Sequence, residues 1–337
     1  MQEKEVSILK IKKDAIDFYQ TATTDSLSQL VFQFRNAILN KEDKQYLHLG
    51  YQLYLHLIEP LQLDEDITQL YILPDNFLNY LPFDALLTQK QSLEEGKFPN
   101  YVELPYLIRK VKISYTFSAT TWLQQCQLSE SINSQLIAFA PSFGNAPLAL
   151  QRSPTSHIDY NLGNLKGSKQ EVDRIKDLFP STLKIGEEAT KTTFLEHLSK
   201  AKIVHLATHG LLNEENGAYS SIAFAPDSTN NNMLYAFELY GLEMNADLVV
   251  LSACNTALGK WEAGEGVMSL ARGFTSTGSK SILMSLWAVA DQSAPTIIPD
   301  FYQYLAKGED KSTALQKAKL NGSLTVFAKK GKKVKLV

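Results

Sequence analysis

Four short runs of apolar residues in the second half of the chain limit its possible folds more than any other feature. Each run is apolar at successive positions, so both faces of the predicted strand must be buried. Segments whose apolar residues recur at helical spacing separate the runs. Strands of this kind, alternating with helices, form a mostly parallel sheet covered by helices on both faces, and we predict an α/β fold. The predicted strands are Leu136–Ala140, Lys202–Ala207, Asp247–Ala253 and Ser281–Trp287.

Two of the separating segments carry helix signals. Ser168, with Glu171 three residues later, is typical of a capping box and predicts the start of a helix. Apolar residues recur at helical spacing from Val267 to Phe274, and Gly278 is the expected end of that helix. We therefore expect strand–helix–strand units in this half of the chain.

The first half of the chain is more irregular. Ser7–Thr21 reads as a hairpin that turns near Lys13, and two amphipathic helices follow, the second over Lys44–Ile58. A short strand is predicted at Leu70–Leu73. Polar Gln127–Gln135 is the best candidate for a linker, so we predict an N-terminal half of residues 1–130 and a second half of residues 131–337 that ends in a basic tail.

Composition narrows the class of protein and its partners. The net charge of −3 gives no reason to expect direct binding to nucleic acid. Two cysteines cannot form a disulfide framework, which favours a reducing compartment. The first residues are charged where a signal peptide is apolar, and no apolar run is long enough to span a membrane. We expect a cytoplasmic protein.

One cysteine and one histidine follow the ends of two predicted strands. Ligands of open α/β sheets bind at the carboxyl ends of the strands. Cys254 ends one such strand and His209-Gly210 ends another, so a thiol and an imidazole are predicted at the same edge of the sheet. Such a pair is the minimum for a thiolate nucleophile. The backbone N–H groups of Gly210 and Cys254 are candidates for an oxyanion hole.

Other interpretations of these residues stay open. A cysteine at a strand end is often a small buried hydrophobe, and a histidine before a glycine can be a turn residue. His205 and His209 lie four positions apart, but on a strand this separates them by about 13 Å, too far for one zinc ion. Asp291 is either the N-cap of a helix that begins near Ser293 or a carboxylate that selects a cationic substrate side chain. No nucleotide-binding motif is present, and we expect neither a cofactor nor a metal ion.

Four stretches of the sequence together resemble the CHAT domain, a caspase-like, TPR-associated peptidase family related to caspases, separases and gingipains. The resemblance extends from near Val6 to near Lys319, and the motifs occur in the order that the family has. The stretches read LYILPDNFLNYLPFDALL, IVHLATHG, ADLVVLSACNTALG and GEGVMSLARGFTSTGSKSILMSLWAVAD.

This resemblance implies a caspase-like sheet flanked by helices, preceded by an α/β half that resembles a protease without its catalytic residues. It implies a cysteine endopeptidase with His209 and Cys254 as catalytic residues. Asp291 then binds a basic P1 side chain, and Ser285 and Trp287 contact the substrate beside it. Family members usually carry TPR helices, absent here, and end in a closing strand, for which LTVFA near the C-terminus is the candidate.

The leading functional hypothesis is therefore a cysteine endopeptidase that cleaves proteins or peptides and is regulated by a TPR-containing or sensor partner. Relatives in bacterial stress and defence systems suggest that context by analogy. The alternative is an interaction module that keeps the caspase fold without turnover. A hydrolase of small molecules is a third possibility, and it requires an enclosed pocket.

Overall fold

The structure is a computed structural model, which describes residues 5–22, 26–94, 97–129, 134–144, 148–153, 156–160, 162–165, 167–213, 215–228, 231–252, 265–285 and 294–330. The helices are α1 (Leu27–Asn40), α2 (Asp43–Leu57), α3 (Ala119–Gln127), α4 (Ser168–Ile175), α5 (Lys191–His197), α6 (Ala236–Leu239), α7 (Glu265–Ser276), α8 (Ala294–Ala306) and α9 (Lys311–Lys330). The strands are β1 (Glu5–Ile11), β2 (Ile16–Ala22), β3 (Gln69–Ile72), β4 (Lys112–Tyr115), β5 (Gln135–Pro141), β6 (Leu148–Ser153), β7 (Ser156–Tyr160), β8 (Ser181–Gly186), β9 (Ala201–Leu206), β10 (Gly210–Leu211), β11 (Ser221–Ala223), β12 (Met233–Tyr235), β13 (Leu248–Leu251) and β14 (Ile282–Met284).

The chain divides into two compact units. One consists of Met1–Thr116 with Lys311–Val337, and the other is Phe117–Asp310. The units differ from the two predicted halves, since residues 117–130 belong to the second unit and residues 311–337 to the first. The division at residue 130 into a protease-like half and a catalytic half stays a prediction.

The first unit combines a hairpin, helices and a small parallel sheet. Strands β1 and β2 pair in antiparallel register up to Ile11 and Ile16, which confirms the predicted hairpin. Helix α1 buries the apolar stripe that includes Leu27 and Phe34, and helix α2 packs against it. Strands β3 and β4 pair in parallel. The predicted strand at Leu70–Leu73 is therefore confirmed within one residue at each end.

The C-terminal segment LTVFA lies in helix α9, so the predicted closing strand is wrong. Ala314 and Ala318, one helical turn apart, are fully buried in the first part of this helix. The side chain of Gln316 donates to the carbonyl of Ile108 at 2.6 Å, and Lys319 pairs with Asp84. Once the first turns are held in this way, each further residue adds a backbone hydrogen bond at little extra cost, and the helix continues.

The second unit contains a five-stranded parallel sheet in the order β14-β13-β9-β5-β8. All four predicted strands are present, and the predicted fold class is confirmed. The sequence patterns missed β8, whose six residues are all half-buried. Strand β8 pairs only with β5 among the described strands, and an edge strand of this kind needs no continuous apolar run.

Helices cover both faces of this sheet. One face packs against α5, α6 and α7 around Phe139, Phe194 and Phe274. The opposite face packs against α4, with Val172 against Ala138 and Ala140, and α8 packs beside α4. A small antiparallel sheet, β10-β11-β12, begins four residues after the end of β9.

Helix α4 begins at Ser168 as predicted, but the capping box is wrong. The N-cap residue is Gly167, whose position has no side-chain cap, and the Ser168 hydroxyl donates to the carbonyl of Leu165 at 2.9 Å. The Glu171 side chain is 3% exposed and contacts His205 instead of the helix start. A buried tertiary contact therefore takes the carboxylate that a capping box would use.

Gly278 and Gly308 test how far local backbone conformation limits substitution. Both have positive φ, 95° and 88°, but a Cβ at Gly278 would lie 2.6 Å from the carbonyl oxygen of Met244, whereas at Gly308 it would meet nothing within 4 Å. We expect Gly308→Ala to lower the free energy of unfolding by about 1 kcal/mol. Gly278→Ala should cost about 1 kcal/mol or more beyond that, because the backbone must also move. Urea denaturation followed by circular dichroism measures the free energy of unfolding of both variants. Equal losses would contradict the argument that a Cβ at position 278 clashes with the carbonyl of Met244.

Candidate active site

The strands that precede Cys254 and His209 are neighbours in the sheet, as predicted. Strands β9 and β13 run parallel with Leu206 paired to Leu251. His209 and Cys254 are each three residues beyond this pair along the chain. Cys254 itself lies outside the described residues, so its contact with His209 stays a prediction. The pairing puts the starting points of both segments at the same edge of the sheet.

His209 is 3% exposed, and a backbone carbonyl contacts its ring. Its Nε2 lies 2.7 Å from the carbonyl oxygen of Gly163, and its ring centroid lies 5.1 Å from that of Phe143. Because a carbonyl can only accept, we assign the ring proton to Nε2. In the neutral imidazole this makes Nδ1 the nitrogen that can accept a proton.

The backbone around His209 is fixed by the small sheet. The N–H of Ala223 donates to the carbonyl of His209 at 2.9 Å, and the Thr208 hydroxyl donates to the carbonyl of Ala223 at 2.6 Å. The first of these bonds makes Gly210 and Ile222 a non-hydrogen-bonded pair of the antiparallel ladder. The ladder to β11 therefore does not use the N–H of Gly210. This N–H is one of the two groups that the predicted oxyanion hole requires.

The predicted substrate-binding residues lie after β14, the neighbour of β13. Leu251 of β13 pairs with Met284, and Ser285 follows directly, half-buried. Ser285 is therefore at the same edge of the sheet as the segments that lead to His209 and Cys254. Trp287 and Asp291 lie outside the described residues, and their roles stay predictions.

His205 is fully buried in the core of the second unit. Its Nε2 lies 3.1 Å from an oxygen of Glu171, and its Nδ1 lies 3.2 Å from the hydroxyl of Tyr302. Burial, and then the nearby Glu171 carboxylate, raise the pKa of Tyr302 well above its usual value. Across the described part of the chain, no cluster of three His, Cys, Asp or Glu side chains is placed to hold a metal ion.

Sequence reasoning missed Phe143 and Gly163. Phe143 comes two residues after the end of β5, so the rule that ligands bind at carboxyl ends of parallel strands could have found it. Gly163 acts through its backbone carbonyl, which no residue pattern identifies.

A family model described as CHAT domain matches residues 47–323, well over half of the chain. A solved structure, the Arg-specific cysteine proteinase gingipain R, is similar with a TM-score of 0.47 and 11% sequence identity. The match covers 85% of this chain and 64% of that chain, so this chain spans less than two thirds of its length. No curated protein matches. Of the described helices, none combines the length and apolar character needed to cross a membrane. The residues matched by the family model show that this chain belongs to the CHAT domain family.

Proposed function

We propose that this protein is a cysteine endopeptidase that cleaves protein substrates with Cys254 as nucleophile and His209 as base. The observation that carries the proposal is the pairing of Leu206 with Leu251 in adjacent parallel strands, three residues before each of the two side chains. The contact between Nε2 of His209 and the carbonyl of Gly163 supports it further, because the other ring nitrogen becomes the basic one.

The proposed chemistry is acyl transfer in two steps. Nδ1 of His209 takes the thiol proton, and the Cys254 thiolate attacks the carbonyl carbon of the scissile bond. The N–H groups of Gly210 and Cys254 stabilise the oxyanion. The protonated imidazole then gives its proton to the leaving amine, and a thioester remains. Water, deprotonated by His209, hydrolyses the thioester and restores the thiol.

An extended peptide can bind alongside β14, the outermost described strand at one end of the strand order. This strand pairs only with β13 among the described strands, so its other side can accept a peptide in strand conformation. We propose that Ser285, Trp287 and Asp291 bind the P1 side chain, with the carboxylate selecting Lys or Arg. A TPR-containing or sensor partner in the cytoplasm would control access, in the context of bacterial defence or stress signalling.

The test is a peptide library with mixed P1 residues, incubated with the full chain and analysed for cleavage sites by mass spectrometry. We expect cleavage after Lys and Arg. Replacing Asp291 by Asn should reduce that cleavage at least about tenfold, because the cation loses its paired carboxylate. Cleavage after apolar residues would support the proposal of an endopeptidase but would contradict the proposed role of Asp291.

A second measurement, the rate at which a probe alkylates Cys254, tests the proposal even if the enzyme cleaves peptides only after activation. Cys126 is exposed and serves as an internal reference for an ordinary thiol. An alkylating probe at neutral pH should label Cys254 faster than Cys126, because a paired imidazole increases the thiolate fraction. No cleavage, together with slower labelling of Cys254, would favour the interaction module without turnover.

A further inference from the structure

Two segments of the second unit meet at His209. The first, residues 142–144, follows the end of β5, and the second, residues 162–165, precedes α4. The side-chain oxygen of Asn164 accepts a hydrogen bond from the backbone N–H of Phe143 at 2.6 Å, which connects them.

Each segment supplies one contact to the His209 ring. Phe143 supplies the aromatic ring at 5.1 Å between centroids, and Gly163 supplies the carbonyl oxygen at 2.7 Å from Nε2. The bond from Asn164 starts one residue after that carbonyl and ends on the backbone of Phe143 itself. A displacement at Asn164 therefore moves both groups that contact the imidazole.

Local packing alone does not fix the position of Gly163. Leu162 on one side is 3% exposed and packs with Phe143 in an apolar cluster. Gly163 is exposed, and a Cβ added there would meet nothing within 4 Å. A glycine in open space has wide conformational freedom, so the residue on its other side, Asn164, must limit the orientation of the carbonyl.

We propose that Asn164 is a positioning residue that holds the Gly163 carbonyl and the Phe143 ring against His209. The proton then stays on Nε2, and Nδ1 is the ring nitrogen that serves as base. Nothing in the residue pattern around Asn164 indicates this role, which arises from one hydrogen bond between two segments 21 residues apart. Its importance for catalysis rests on the proposed function, whereas its effect on the imidazole does not.

The deciding experiment measures the imidazole directly. The full chain is labelled with ¹⁵N-histidine, and His209 is assigned among the six histidines by its loss in His209→Gln. Wild type and Asn164→Asp, which keeps a side-chain oxygen as acceptor, should show the Nε2–H tautomer with slow proton exchange. Asn164→Leu removes the acceptor at similar size, and we expect a mixture of tautomers and several-fold faster exchange.

Two results would overturn the proposal: an unchanged His209 signal in Asn164→Leu, or a changed one in Asn164→Asp. Near-ultraviolet circular dichroism checks that the variants are folded, and Asn164→Ala provides a second variant without the acceptor. Where cleavage is measurable, Asn164→Leu should lower kcat about tenfold or more through misplacement of the base, with KM nearly unchanged and with rescue in Asn164→Asp. A wild type that neither cleaves peptides nor labels Cys254 faster than Cys126 would defeat the proposed function, and the spectra would still decide the role of Asn164.

Discussion

Replacing Cys254 by Ala is expected to abolish peptide cleavage, and replacing His209 by Gln is expected to reduce it by about a thousandfold. Alanine offers no atom that can form the thioester, and glutamine cannot exchange a proton with the thiol. Because the two residues act as a unit, the double variant should be no less active than Cys254→Ala alone. The measurement is kcat/KM on the best peptide from the library.

Each of these variants has a matched control in the same unit. Cys126 is the other cysteine of the chain and is exposed. His197 lies on α5, where its Nδ1 contacts the carbonyl of Thr193 at 2.8 Å. We expect Cys126→Ala and His197→Gln to change kcat/KM less than about twofold, as is usual for residues away from the reacting groups. Activity that survives in His209→Gln but not in Cys254→Ala would mean that another group activates the thiol.

The parallel sheet could be predicted because its inner strands are buried on both faces. Burial on both faces removes the polar alternation from a strand, and the run of apolar residues is then visible in the sequence. Val249 and Val250 of β13, for example, are adjacent residues and both are fully buried. Strand β8 has no such run because it is the outermost of the described strands, and its residues are only partly buried.

The adjacency of β9 and β13, the strands that precede His209 and Cys254, also followed from the sequence. Parallel strands joined by a crossover end on the same side of a sheet, so the positions after β9 and β13 were expected on that side. The contacts of the His209 ring did not follow. Both Gly163 and Phe143 reach it from segments distant in sequence, and one of them uses only its backbone.

Two local predictions failed because tertiary contacts outweighed local preference. The capping box at Ser168 needed the carboxylate of Glu171 at the helix start, but that carboxylate is buried beside His205. The segment LTVFA has the composition of a strand, yet it continues helix α9, whose earlier turns are held by buried alanines. Intrinsic propensities of this size are routinely overridden in this way.

The contact of Glu171 with His205, which replaces the capping box, belongs to a buried polar cluster that connects a strand of the sheet with two helices. His205 of β9, Glu171 of α4 and Tyr302 of α8 are 0%, 3% and 0% exposed. The Nε2 of His205 and the carboxylate oxygen are at ion-pair distance without hydrogen-bond alignment, and the tyrosine hydroxyl lies at the other ring nitrogen. These polar groups have left water, so each depends on the others for compensation.

Removing Glu171 should therefore destabilise the second unit more than any exposed change. We expect Glu171→Ala to lower the free energy of unfolding by about 3 kcal/mol, because His205 stays buried without its carboxylate. Glu196→Ala, on the exposed side of α5, should cost less than about 0.5 kcal/mol and controls for the change of residue type in a helix.

A double replacement separates charge from packing. If the polar pair itself sets the cost, Glu171→Leu with His205→Leu should be more stable than Glu171→Leu alone, since no buried imidazole is left uncompensated. If the space that these side chains fill sets the cost instead, the two losses should add, because each substitution disturbs the core independently. Urea denaturation of wild type, Glu171→Leu, His205→Leu and the double variant gives the coupling energy between the two side chains. A favourable coupling energy would show that the contact between His205 and Glu171, and not apolar packing alone, stabilises β9, the strand that precedes His209.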